Sequence, residues 1–422
     1  MGSMFRTITL QKWISFWVFM FSVTVLSYSG HGGQSAIVLL ITALYITIAK
    51  RNESQSPPLN KEEKIFIWFV LIFWGWQLFG VLYQPAGYEF ENIRAQFKAF
   101  DYPMRWLLLL PIFFLLRRYV IDWRLVAVGI SIGAIISVAI AHYQVYFLGS
   151  ARAFGASRHP IPFGELMVVV DLLLWMFTIY AWDKGYKFLS FFLLIASLIA
   201  FYGSLLSLTR GAWLAYVFMI VVWIVYTLKK SLSNFKYLFS TPILLRILFS
   251  AIVFFALSQT NQYQILKNRT HTTMSNLSDS NYYSAVGGRM VIFEDAIEAI
   301  KIHPFGIGTN NFASIEQSNN NNFKHAHNEL LNLWVENGIQ GVVSLMALIV
   351  FAFTIFWKNL KNSNKLLTIY ASCGIMLIIS YVISGQSQAI FSHHSTLIFF
   401  VFYLYFFFVQ IQALERQNYR KQ

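Results

Sequence analysis

The chain has 422 residues, of which 57% are hydrophobic, 18% aromatic and only 12% charged. Soluble domains carry about 25% charged residues. At half that share a chain of this length cannot cover itself with a solvated surface, which excludes a water-soluble enzyme, a disordered chain and a disulfide-stapled secreted scaffold. The net charge of +14, from 32 basic and 18 acidic residues, would suggest nucleic acid as the partner of a soluble protein. In a polytopic membrane protein it reports orientation in the bilayer instead.

Apolar runs of about 17–25 residues cross a bilayer. They predict an all-α polytopic protein with about twelve spans, some of them short, near 13–28, 35–49, 64–83, 103–116, 124–147, 164–181, 187–208, 211–228, 242–258, 337–357, 366–384 and 395–412. The first run lacks a small-residue cleavage site and reads as a retained span rather than a signal peptide. The chain so divides into nine spans over 1–258, one long connection over 259–336, and three spans with a tail over 337–422. With the N-terminus inside, every inner connection is basic, including the very short one with Lys184 and Lys187, and both termini are cytoplasmic. The basic residues left outside include Arg152, Arg158, Arg210, Arg269 and Arg289. They either snorkel at the membrane edge or meet an anionic substrate.

In chain order, the first candidates are Arg152 and Arg158, in the glycine- and proline-bearing connection Ser150-Ala-Arg-Ala-Phe-Gly-Ala-Ser-Arg-His159-Pro. The pair suits an anion and equally suits an ordinary basic loop. Arg210 sits between two apolar runs with almost no loop around it; an ionisable group at membrane depth marks a functional site unless it reaches the interface. The long connection begins with a segment rich in Asn, Ser and Thr, read as irregular over 268–287. A helix is then predicted from Arg289 to His303-Pro304, because Phe293, Ala296, Ile297 and Ile300 recur at helical spacing. Arg289 at a helix start either serves a phosphate or pairs with Glu294. A turn-rich stretch, Gly306-Ile-Gly-Thr-Asn-Asn-Phe312, follows, and then a second helix from about His325 or His327 to Asn337, with Leu330, Leu331 and Trp334 on the face below His327. Gly338 would stop it or turn it into the next span.

His325 and His327 are too close in sequence for ligation side by side on one helix face, and no carboxylate or cysteine cluster completes a metal site. His327 suits a general base or a packing and capping role. Gln386 to Gln388 and His393-His394 either line a polar vestibule or face solvent, and are assigned no role. There is no P-loop, no glycine-rich dinucleotide motif and no Asp-x-Asp motif.

Together these residues carry a family pattern. His327-Asn328, nine residues, then Gly338-Ile-Gln-Gly341 resembles the signature of bacterial O-antigen ligases. His303-Pro-Phe-Gly-Ile-Gly-Thr-Asn-Asn-Phe312 is similar to a segment shared by the ligase and polymerase superfamily. Ser207-Leu-Thr-Arg210-Gly-Ala-Trp and Gly287-Gly-Arg289 resemble its two arginine motifs. The resemblance extends to the layout of about twelve spans with one large loop before the last three. It implies a GT-C-like glycosyltransferase of the bacterial inner membrane, with its site on the periplasmic face. Such a ligase moves O-antigen from undecaprenyl diphosphate to a sugar hydroxyl of lipid A–core, without cofactor, metal or nucleic acid. It implies catalytic roles for His327 and Arg289 and diphosphate binding by Arg210, with Arg152 and Arg158 assisting. His325 and Asn328 stand in a second tier. The related alternative is an O-antigen polymerase using the same donor. The alternative of another class is a transporter of the lipid-linked glycan, which would favour internal repeats and broken helices at mid-membrane; no repeat is visible, and the candidate residues gather on the outer side.

Overall fold

A computed structural model describes residues 2–27, 32–49, 57–90, 92–218, 241–278, 289–318 and 323–419. The protein is all-helical, with no strand among the described residues. We number the helices α1 (Gly2–Ser27), α2 (Gly32–Ala49), α3 (Lys61–Leu82), α4 (Ile93–Leu108), α5 (Leu110–Leu116), α6 (Trp123–Tyr146), α7 (Pro160–Asp183), α8 (Lys187–Ser207), α9 (Thr241–Ser258), α10 (Asn261–Ser278), α11 (Arg289–Ile302), α12 (Phe312–Ser318), α13 (Glu329–Asn359), α14 (Lys365–Ser384) and α15 (His394–Tyr419). A further helical stretch occupies 210–218.

Among the described residues, ten helices are long and apolar enough to cross a membrane, and the stretch within α2 is apolar but shorter. The expected eighth span, 211–228, is helical as far as residue 218; the rest of it, and Gly287-Gly288 of the arginine motif, lie outside the described residues. Three expectations change. The run at 103–116 belongs to a longer element that begins at Ile93 and is interrupted at Leu109, just before Pro111 opens α5. Residues 268–278, read as irregular, are helical in α10, so the long connection holds more than two helices. The helix expected from His325 or His327 begins only at Glu329 and merges with the next span, the two being divided at Gly338, whose φ of 70° and ψ of −179° break the helical path. The buried residues of its first segment are Glu329, Asn332, Leu333, Val335 and Asn337, so Leu330, Leu331 and Trp334 do not form its inward face. At 31 residues and 1.5 Å per residue, α13 is about 46 Å long. That exceeds a hydrocarbon core of about 30 Å, and the segment before Gly338 is the excess.

Packing follows from which helices are apolar on all sides. In α15, residues 396–414 are all buried, as expected of a helix without a polar face in the core of a bundle. Its aromatic rings pack on neighbours, Phe402 stacking on Phe21 of α1 and Phe408 on Phe66 of α3. Its polar groups are satisfied: Tyr403 donates to Ser22, Tyr405 to the Trp106 carbonyl, and Gln410 bonds backbone groups at Leu116, Tyr119 and Ile121. By contrast, only Pro242 and Leu257 of α9 are buried. This helix is fastened by Arg246, which bridges Asp171 of α7 at 2.8 Å and lies over the Trp175 ring. Arg246 is therefore paired within the bundle.

At one end of the bundle Glu63 is fully buried. It accepts two hydrogen bonds from Arg117, at 2.9 and 2.7 Å, and one from Arg416 at 2.8 Å. Asn60 caps α3 and shares Glu63 in a capping box. One carboxylate so ties α3, the end of α5 and the end of α15. The opposite end gathers the ends of α3, α8 and α14 with the starts of α7, α13 and α15. Its framework is the turn-rich motif. Ile307 and Gly308 donate to the carbonyls of Val335 and Glu336, while Thr309 donates its N–H to Gly80 and its hydroxyl to Gln77. Asn337 donates to the Thr309 hydroxyl at 2.7 Å. Gly306 is needed at its φ of 95°, since a Cβ there would meet the Glu336 carbonyl oxygen at 2.5 Å.

Glu63→Ala leaves Arg117 and Arg416 without their shared carboxylate, and removing one member of a buried ion pair costs about 3–5 kcal/mol. Thermal unfolding in detergent should show a clearly lowered midpoint; an unchanged midpoint would refute the anchoring role.

Candidate functional site

The histidines owe their position to how α13 begins. Asn328 caps the helix, its side chain accepting from Leu331 N–H at 3.0 Å. The Glu329 N–H donates to the Gly385 carbonyl at 2.7 Å, and a Glu329 carboxylate oxygen accepts from Phe391 N–H at 2.9 Å. These bonds tie the helix start to the α14–α15 connection. His327 precedes the helix with φ of 51°, in the left-handed region that histidine tolerates better than branched residues. Ala326 is buried and donates its N–H to the Asn332 side chain at 3.0 Å. Chain direction therefore reverses at 326–328, and His327 points off the helix end instead of lying on its face.

The connection it meets contributes Gln388 and His393. His327 Nδ1 is 2.8 Å from Gln388 Oε1. Gln388 Nε2 lies 2.7 Å from His393 Nε2 and 3.4 Å from His325 Nε2. The rings of His325 and His327 are 4.4 Å apart, and His159, just before α7, stacks nearly parallel on His393 at 6.3 Å. Burial is the main force on all four imidazoles and lowers their pKa from the usual value of about 6.5. His325 is pushed down to about 3 and His393 to about 4, with neighbouring histidines adding to the effect. His327 is lowered by burial and by the Arg289 charge, against the hydrogen bond to Gln388, which raises it. His159 is lowered by burial and then by Arg152. The cluster is a set of neutral rings at pH 7.

The arginines arrive from three other elements. Leu208, at φ of 53°, ends α8 in the left-handed conformation, and Arg210 starts the next helical stretch two residues later. Arg152 spans this junction, donating to the Ser207 carbonyl at 2.9 Å and to Thr209 Oγ1 at 3.3 Å. Its pKa is lowered by burial and then by the charges of Arg269 and Arg210. Arg210 is exposed and donates to the Arg269 carbonyl at 3.5 Å. Arg289 is the first described residue of α11, and Gly287-Gly288 before it lie outside the described residues. Its pKa falls through burial and the Arg210 charge, while Glu165 of α7 raises it. Glu165 is buried with neither carboxylate oxygen hydrogen-bonded.

The structure thus brings Arg152, Arg210, Arg289 and His327 to one end of the bundle, with His325 and Asn328 in the same turn. Arg158 acts on the charge of His394, which burial and then Arg105 lower more strongly. Gln388, His393, His159 and Glu165 were not identified from sequence. The one available signal for Gln388 was a polar run, Gly385 to Gln388, interrupting two apolar spans. Among the described residues, no three His, Cys, Asp or Glu side chains are grouped so as to hold a metal ion.

What this arrangement offers is a neutral imidazole beside several guanidinium groups, a base facing a place for a doubly charged phosphate group. If the burial is as described, histidine ring 13C NMR in micelles will show no titration of His325 or His393 between pH 5 and 8. A midpoint near 6.5 for either would contradict it.

Residues 195–346, which run from α8 into α13 and include Arg210, Arg289, His325 and His327, match the family model described as O-antigen ligase. This bears out the resemblance to the O-antigen ligase superfamily. A Haemophilus influenzae protein described as uncharacterized is 25% identical over 401 residues, covering 92% of this chain and 95% of its own length.

Proposed function

We propose, from the match of residues 195–346 to the O-antigen ligase family, that this protein transfers a glycan from a lipid diphosphate to a sugar hydroxyl of lipid A–core in lipopolysaccharide biosynthesis. The donor is undecaprenyl-diphosphate-linked O-antigen. The acceptor hydroxyl gives its proton to His327 Nε2, and its oxygen forms the new bond to the anomeric carbon. The bond from that carbon to the diphosphate oxygen breaks, and the leaving diphosphate carries its charge to Arg289 and Arg210, with Arg152 behind them. Direct displacement inverts the anomeric centre. Arg158, whose charge acts on His394, has a lesser part.

The observation that carries this reading is the juxtaposition of His327, held at Nδ1, with the charge of Arg289. Orientation follows the same reading. Arg117, Arg124, Lys184, Lys187, Lys358, Lys365 and Arg416 occupy the bundle end away from the histidines, which supports a cytoplasmic placement of that end. The histidines then face the periplasm, and the protein is a multi-pass protein of the inner membrane. Both substrates are anchored in the bilayer, so a lateral path between helices suits them.

Deleting the gene in its host and resolving lipopolysaccharide on gels tests the assignment. Bare lipid A–core with accumulated polymerised lipid-linked glycan is expected; core capped by single repeat units would indicate a polymerase instead. In membranes supplied with donor and acceptor, His327→Ala should lose about 10²- to 10⁴-fold in transfer rate, and Arg289→Ala about 10²- to 10³-fold. Full activity of His327→Ala would end the general-base assignment. Because the His327 pKa is lowered, the base stays unprotonated below pH 6.5. Activity should persist into mildly acidic pH and fall only as pH drops through the lowered value; a loss centred at 6.5 or above would count against the assignment.

A further inference from the structure

We infer that Gln388 is a positioning residue that fixes the His327 ring in the tautomer with the proton on Nδ1 and the lone pair on Nε2. This rests on reading His327 as the base. A neutral imidazole has one donor and one acceptor nitrogen, and which is which depends on the partner of the other nitrogen. Gln388 is 1% exposed, so water does not substitute for its partners. Its amide faces three histidines from the α14–α15 connection.

The order of protons follows from the geometry. Gln388 Nε2 faces the Nε2 atoms of His393 and His325, at 2.7 and 3.4 Å. An amide nitrogen only donates, so those ring nitrogens accept. With the amide NH₂ so directed, Oε1 is left toward His327 Nδ1 at 2.8 Å, and an oxygen acceptor requires Nδ1–H. The His327 Nε2 lone pair is what remains. The reversed amide would set its oxygen against Nε2 of His325 and His393 and its NH₂ against His327 Nδ1, leaving the His327 proton on Nε2, which then could not accept one.

An amide suits this position better than a carboxylate would. A carboxylate on Nδ1 would hold the imidazole protonated, adding charge to a region that already contains Arg289. The other groups acting on His327 are His325 in its own turn, His159 ahead of α7 and Arg289 of α11. None of them supplies an acceptor for Nδ1, and Glu329 at the head of α13 is engaged by Phe391 N–H. Gln388 is therefore the acceptor that orients the base without charging it.

Histidine ring 15N NMR of the full chain in micelles reads the tautomer directly. Wild type should show His327 as Nδ1–H, and Gln388→Leu should show a mixture or the Nε2–H form. Gln388→Leu should also lower kcat about tenfold to hundredfold with little change in donor KM. The near-isosteric Gln388→Glu, which preserves packing, should raise the His327 pKa and move the acidic limb of the rate profile upward by about a unit or more. The inference falls if wild-type His327 is Nε2–H, or if Gln388→Leu leaves the tautomer unchanged. It also falls if Gln388→Glu leaves the His327 titration where it was. These readouts concern the ring itself. Should His327→Ala prove fully active while the tautomer responds to Gln388, the general-base reading fails and the positioning by Gln388 stands.

Discussion

A charge left unpaired in an apolar interior costs several kcal/mol, and most structural choices in this protein are consequences of that constraint. Where charge sits deep, it is paired. Asp171 of α7 is fully buried and meets Arg246 and Ser197, with the guanidinium over Trp175. Glu63, also fully buried, is matched by Arg117 and Arg416. The pairs add rigidity rather than large net stability, since desolvation offsets much of the attraction. At the histidine end, the charges of Arg210 and Arg269 act on Arg152, and those of Arg210 and Glu165 act on Arg289. Burial first, and then the neighbouring arginine charges, lower the pKa of Arg152 and Arg289, and a bound dianion would offset both.

Rigidity at that end comes from ties between helix termini distant in sequence. Backbone bonds from 307–309 hold α3 to the break in α13, and Glu329 holds the start of α13 to the α14–α15 connection. Both sets use polar groups that an apolar bundle would otherwise leave unsatisfied. The family-like motif around Gly306 is thus accounted for as a bracket whose positive φ values and backbone bonds place α13. The adjoining His327-Asn328 pair is accounted for as ring and cap. Chemistry that depends on a hydrogen bond of about 3 Å benefits from being carried on such a frame.

Much of this was legible in one dimension. Span positions depend on local hydropathy, and the ten long apolar helices lie where apolar runs predict them. The helix that includes Arg289 and the helix break at Gly338 were readable because periodicity and glycine act locally. Errors arose where a local signal was weak or outvoted. The helix α10 is mostly polar, its few apolar residues Ile265, Leu266, Met274 and Leu277 forming no sustained stripe to announce it. The start of α4 lies ahead of its apolar run, in a stretch bearing Arg94 and Lys98.

The sequence by itself determined the class of molecule, the rough placement of most of its apolar helices, the segregation of basic residues and the family resemblance of its central segment. Those properties follow from composition and from spacing within a single turn or span. Tertiary structure decided which polar side chains meet: that His327 leaves the helix face through a left-handed turn, that Gln388 lies against it, and that Glu165 is buried near Arg289. His327 and Gln388 are 61 residues apart, and no periodicity links them. Their contact exists because a cap, a reversed turn and two bonds to Glu329 bring the ends of separate helices together.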